Sequence, residues 1–203
     1  MTQDQIDLLK KQFCEVLRAT QRPGIEQVLA QLESLGFFTA PASTRFHGAE
    51  PGGLLAHSLN VYQEAMVIRL MQIKFRPEIE TQIPEASVAI AALLHDTCKA
   101  EVYKKELKHR KNALGKWEDY LGYTADYSSF PMGHGEKSVI QLLRWGLELT
   151  DAEMLAIRWH MGAFNLPFHS AEESNSLSSA KDQHPLVSII SAADSLATSI
   201  LER

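Results

Sequence analysis

The chain has 203 residues and a mass of 22.7 kDa, the size of one compact domain. Its 45% hydrophobic and 22% charged residues exclude a disordered tail, a collagen-like fibre and a disulfide scaffold. Twenty Lys and Arg against 25 Asp and Glu leave a net charge of −5, so the overall charge makes no case for nucleic acid.

Helical spacing of apolar residues dominates the chain. Ile6, Leu9, Phe13, Val16 and Leu17 predict a first helix, and Ile25, Val28, Leu29, Leu32 and Leu35 a second, ended by Gly36. Phe37 to Gly53 lacks periodicity and reads as a loop. A third helix is predicted from about Leu54 to Lys74. A fourth, from Glu85 to about Asp96, is apolar almost all round and therefore buried. Val102-Tyr103 and Trp117 to Tyr123 flank Asn112-Ala113-Leu114-Gly115, which predicts a small β-hairpin insert at about 101–127. Helical period returns from His134 to Trp145. Thr150-Asp151-Ala152-Glu153 is a capping box for a helix ending near Gly162. Residues 164–184, rich in Ser, Asn, Glu and His, read as a mobile loop, and Pro185 opens a last helix. The expected architecture is an all-α bundle with one hairpin insert: a single domain over 1–203, with N-terminal helices in 1–36 and the core in 37–203.

Cys14 and Cys98 are too few for a disulfide framework. The N-terminal stretch has no apolar signal core, and no apolar run reaches the roughly 18 residues that span a bilayer. A cytoplasmic protein without a membrane partner is expected.

The placement of the histidines and aspartates carries the chemistry. His57 sits near the start of the third helix, His95-Asp96 at the end of the buried fourth, and His134 between two glycines at a helix start. His160 ends an otherwise apolar helix, and Asp194 follows Ile189-Ile190-Ser191-Ala192-Ala193. Small and apolar neighbours predict burial of most of these groups, and an ionisable group buried unpaired is expensive. A chain this long needs no metal merely to fold, since it buries roughly 70% of its unfolded surface. Four His and two Asp directed into a bundle core are instead the usual recipe for functional iron, manganese or zinc.

The ordered pattern His57, His95-Asp96, His134, His160 and Asp194, with Lys99 three residues after the doublet, resembles the HD-domain metal-dependent phosphohydrolase superfamily, in its dinuclear branch. The resemblance covers about residues 40–200. Phe38 to Ala42 leading into Gly52-Gly53-Leu54-Leu55-Ala56-His57 is also similar to the HD domain attached to some bacterial 3′–5′ exoribonucleases. Gly133 to Ser138 and Ile157 to Gly162 resemble a bacterial subfamily. The commonest doublet segment reads His-Asp-Ile-Gly-Lys, whereas this chain has His95-Asp96-Thr97-Cys98-Lys99. Cys98 thus stands where a glycine would ease the helix end, and it places an oxidisable thiol near the site.

The resemblance implies that His57, His95, Asp96 and Asp194 hold one ion, and that Asp96, His134 and His160 hold a second, with Asp96 bridging. The implied cofactors are two divalent transition-metal ions, iron or manganese, with magnesium, nickel or zinc as other candidates. Asp96 and Lys99 would be catalytic, the Lys99 ammonium resting on phosphate oxygens. His47, Arg45 and Lys137 are further candidates for substrate phosphate. From Lys99 to Lys111 six basic residues face two acidic ones, a run that reads as a solvated edge or as a hold for polyphosphate or oligonucleotide. Trp117, Tyr120, Tyr123 and Tyr127 read as the insert's own small core, with base stacking as the alternative. His109, His169 and His184 read as loop residues. The expected function is hydrolysis of a phosphoester, mono- or diester, of a nucleotide or another small phosphorylated compound. A mixed-valent di-iron oxygenase and a non-catalytic nucleotide sensor are the alternatives.

Overall fold

A computed structural model describes residues 1–166 and 170–202, so His169 lies outside the described residues. Helix α1 (Gln3–Ala19) opens on a reciprocal cap, in which Thr2 Oγ1 accepts from the Gln5 amide and the Gln5 side chain accepts from the Thr2 amide. Its Ile6, Phe13 and Leu17 point inward, as do Ile25, Val28, Leu29 and Leu32 of α2 (Ile25–Ser34). Phe13 meets Phe37 and Phe38 with ring centroids 5.4 and 5.6 Å apart, which fastens this pair of helices to the core.

Helix α3 (Gly53–Phe75) packs against α4 (Glu85–Leu94) and α9 (Pro185–Leu196). Every residue of α4 from Ser87 onward is buried, as its all-round apolar sequence requires, with α1, α3, α9 and the helix Asp151–Arg158 around it. Each such Val, Ile or Leu contributes about 1.5–3 kcal/mol through burial, so the end of α4 is a firm floor. The helix closes at Leu94, two residues before the expected boundary, and His95-Asp96 lie just beyond it. Cys98 has φ −65° and ψ −19°, an ordinary right-handed conformation. The glycine it replaces is therefore not required here.

The hairpin follows the one-turn helix α5 (Lys99–Val102). Strands β1 (Tyr103–Lys111) and β2 (Trp117–Ala125) pair antiparallel with Leu107 opposite Leu121. Asn112 Oδ1 closes the turn by accepting from the amides of Leu114 and Lys116. Strand alternation separates the aromatic residues instead of gathering them into an insert core. Trp117 and Tyr123 share one face and Tyr120 takes the other, while Tyr127 lies past the strand. Only Tyr123 is buried; Trp117 is 70% exposed. Within the insert, Lys104 and Arg110 of the basic run are paired with Asp126 and Glu118, His109 Nδ1 lies 2.6 Å from Asp119, and Lys108 donates to the Tyr123 carbonyl. His109 is thus a strand residue, not a loop residue.

Helix α6 (His134–Arg144) precedes α7 (Asp151–Arg158), which opens on the expected Thr150–Glu153 capping box. Residues 171–183 are helical (α8, Ala171–Gln183), where a mobile loop was expected. The helix buries only Leu177 and Ala180, too narrow a stripe for periodicity to reveal. It is started by Ser170 Oγ, which accepts from the Glu173 amide, and it is held by Glu173 to Arg158 at 3.1 Å. After α9 a π-helical turn, Ala197–Leu201, replaces the expected continuation of the last helix. One apolar core cluster runs from Ile6 to Ala197. Among the described residues no single helix is long and apolar enough to cross a membrane.

Candidate metal centre

Three of the four histidines owe their orientation to local backbone chemistry or to one carboxylate. The last carbonyls of a helix have no partner within it. His95 Nδ1 donates to Ala92 O at 2.8 Å beyond α4, and His160 Nδ1 donates to Ile157 O at 2.7 Å beyond α7. Each bond fixes its ring so that Nε2 is directed inward. His57, inside α3, has its Nδ1 against Glu202 at 3.0 and 3.1 Å, with the same result. Gly135 brings the fourth histidine into place. A Cβ there would lie 2.4 Å from the Arg158 carbonyl, so only glycine lets the start of α6 approach the end of α7. His134 Nε2 comes to 3.1 Å from His160 Nε2 through that contact.

Asp96 stands at the middle and divides the site. Its Oδ2 lies 3.1 Å from His95 Nε2 and 3.6 Å from His57 Nε2, whereas its Oδ1 lies 3.5 Å from His160 Nε2 and 3.9 Å from His134 Nε2. Asp194 Oδ1 is 3.3 Å from His57 Nε2, and Lys99 Nζ is 2.5 Å from Asp96 Oδ2. The ligand atoms of His57, His95 and Asp96 lie within 4.8 Å of one another, as do those of Asp96, His134 and His160, and those of His95, His160 and Asp194. The structure thus brings together all six residues of the expected ligand set.

Two observations show that this set fits a cation. Asp96 Oδ1 is buried without a hydrogen-bond partner, which is costly for a carboxylate oxygen. His57 and His95 also point Nε2 atoms at each other across 3.2 Å, as His134 and His160 do across 3.1 Å. Facing ring nitrogens need a proton or a metal cation between them. Imidazole nitrogen with carboxylate oxygen is a donor set suited to iron, manganese or zinc.

Burial opposes charge on every group here, and the neighbouring charges decide which groups keep it. Burial pushes His95 down and His134 to about 4, so both are neutral near pH 7. Against the same burial, Asp194, Asp96 and Glu202 hold His57 well above the usual range, and Asp96 and Asp194 raise His160. Asp96 stays well below the usual carboxylate range because Lys99 and the imidazoles outweigh burial, and Asp194 is lowered against burial by His57, His95 and His160. Asp96 likewise keeps Lys99 protonated. Lys99 is therefore a fixed cation and not a base.

A cavity of about 610 Å³ opens on this cluster. Lys99, His134, His160 and Asp194 line it, with His47, Tyr103, Tyr127, Met161, Phe164 and Lys181 among its other walls. His47 is half-buried, with its ring 5.2 Å from that of His57; burial and the charges of His57 and Lys99 lower its pKa, so it meets the cavity as a neutral imidazole. Arg45 and Lys137, expected near a substrate phosphate, are not among the lining residues. Arg45 is exposed and lies over the Phe46 ring. Lys137, three residues after His134 on α6, is buried with its Nζ 3.3 Å from Glu101. Cys98 is fully buried, with Sγ donating to His134 O, and burial lifts its thiol to about 12, which removes the expected oxidisable character. Glu202 was not foreseen, because no periodicity or motif marks it.

The fold and site define an all-α bundle whose core carries a His/Asp cluster able to hold divalent metal. The HD domain family model matches residues 54–199, more than two thirds of the sequence, and the chain belongs to that family. Helices α1 and α2 precede the match. Neither a curated protein nor a solved structure matches the chain.

Proposed function

We propose that the chain is a metal-dependent phosphohydrolase that cleaves a phosphoester of a nucleotide or another small phosphorylated compound. The observation that carries this reading is Asp96, one buried carboxylate offering its two oxygens to two separate pairs of imidazoles beside a protonated Lys99. His57, His95, Asp96 and Asp194 would hold one divalent ion, and Asp96, His134 and His160 a second. When bound, such ions supply Lewis-acid charge to a phosphoryl group and acidify water.

The remaining work falls to the chain's own residues. Lys99 lies at the cavity surface with 13% of its side chain exposed, so its ammonium can turn from Asp96 to a non-bridging phosphate oxygen. His47, neutral and facing the same space, can donate or accept one hydrogen bond at the substrate. The Tyr103 and Tyr127 rings offer apolar faces to the organic part of a substrate, and Ser191 and Ser195 of α9 offer hydroxyls. These walls support a nucleotide-sized compound.

A panel of phosphomonoesters and phosphodiesters, including nucleotides, tests the reading with manganese, ferrous iron or magnesium added to chelated protein. Hydrolysis of at least one member is expected, dependent on metal and lost in Asp96→Ala. Metal-loaded protein inert on the whole panel would overturn it.

A further inference from the structure

We infer that Glu202 is a positioning residue for the metal centre, whose carboxylate holds the His57 ring so that Nε2 faces Asp96. The inference rests on the metal-dependent reading above. His95 and His160 each sit just beyond a helix, where a free carbonyl accepts their Nδ1–H. His57 has no such carbonyl, because it lies within α3, where the preceding carbonyls are engaged in the helix; Leu54 O also takes the Ser58 hydroxyl. Its acceptor must come from another element. The π-helical turn Ala197–Leu201 supplies one. It widens the chain after α9, with the Glu202 amide bonded back to Ala197 O, and sets the Glu202 side chain against α3. Both carboxylate oxygens lie within 3.1 Å of His57 Nδ1, Asn60 Nδ2 donates to Oε1 at 3.0 Å, and the Glu202 side chain is 9% exposed. One segment therefore carries Asp194 into the cluster and, eight residues on, the group that aims His57 at it.

Ligand atoms of His47, His57 and Glu202 also lie within 4.8 Å of one another, which raises the alternative of a separate ion there. His57 argues against it. Its Nε2 already faces the central cluster, and an imidazole can offer both nitrogens as acceptors only after losing its last ring proton. A carboxylate holding the far N–H of a ligating histidine fixes its tautomer and raises its basicity, and loss of such a partner weakens metal binding by about 10–100-fold.

The test is titration of chelated full-length protein with Mn²⁺, read by calorimetry, alongside circular dichroism to verify folding. Glu202→Ala is expected to weaken the tighter Mn²⁺ step by about 10–100-fold. Glu202→Gln, which keeps an acceptor without its charge, should weaken it by a smaller factor. His47→Ala should leave Mn²⁺ affinity unchanged. Wild-type affinity in Glu202→Gln, or in a folded Glu202→Ala, overturns the inference, and so does loss of Mn²⁺ in His47→Ala. Wild-type protein that binds Mn²⁺ but hydrolyses nothing would sink the proposed function alone. A wild-type chain that takes up no Mn²⁺ would overturn both.

Discussion

Asp96 and Lys99 sit 2.5 Å apart, yet their substitutions should separate metal binding from chemistry. Asp96 serves both imidazole pairs, so Asp96→Ala should lose both ions, whereas His134→Ala should lose about half the bound metal by elemental analysis. Equal losses in the two variants would remove the bridging role. Lys99→Ala should keep its metal and fold but lose turnover by about 10²-fold, the usual magnitude for removing one group that stabilises transition-state charge. Near-normal turnover would return Lys99 to a purely structural pairing. Cys98 shows the opposite kind of residue, close to the centre but inert. With a thiol pKa of about 12, roughly one molecule in ten thousand carries the thiolate at pH 8. Alkylation of native protein should therefore modify the partly exposed Cys14 first, and Cys98 should react faster only as pH climbs toward 12. Peptide mapping after iodoacetamide at pH 8 checks this. The six clustered residues were legible in the sequence because most are ionisable groups among small or apolar neighbours and because the resemblance implied the set of six. Glu202 could not, because it is an ordinary glutamate that becomes special only when a π-turn delivers it to α3.

Helix α7 carries His160 at its end, and its start is anchored by an ion pair reaching from the first helical hairpin. Arg22 donates to Glu153 through both Nη atoms at 2.9 and 2.7 Å, and Glu153 is fully buried while also closing the Thr150 cap. Removing one partner leaves the other's charge buried and unpaired, so Arg22→Ala should cost about 3–5 kcal/mol in chemical denaturation. A loss under 1 kcal/mol would mean that water reaches Glu153 easily. Legibility at this scale followed burial. α4 declared itself through an all-apolar run and α7 through its capping box, whereas α8 was mistaken for a loop because it buries only Leu177 and Ala180. Its start, where Ser170 Oγ accepts from the Glu173 amide, lies in a stretch whose density of serine and asparagine reads as loop. The hairpin was located by its turn residues. Its aromatic residues were misassigned because strand alternation places Trp117 and Tyr120 on opposite faces.

For the whole molecule, the bundle matters because four separate segments converge on one carboxylate: α3, the end of α4, the α6–α7 contact, and α9 with its π-turn. The order of the six residues along the chain made that convergence readable through the resemblance it carries. The cavity above them could not be read, because α9 meets there walls from the hairpin base, the segment after His160 and α8, whose sequences show no regular pattern. Metal ions held by these six residues would serve either of two chemistries, and the choice between them belongs to the assembled site rather than to any residue. Lewis-acid hydrolysis uses an ion's charge and needs no change in its oxidation state. An oxygenase needs iron that cycles and oxygen that is consumed. The protonated Lys99 at the cavity floor favours an anionic substrate and hence the first chemistry, although an anionic substrate could also be oxidised. One phosphoester panel, run under argon with manganese and in air with iron, separates the two. Phosphate release or diester cleavage under argon is the expected result. Product that forms only with iron in air, in step with oxygen uptake, would promote the di-iron oxygenase and withdraw the hydrolase.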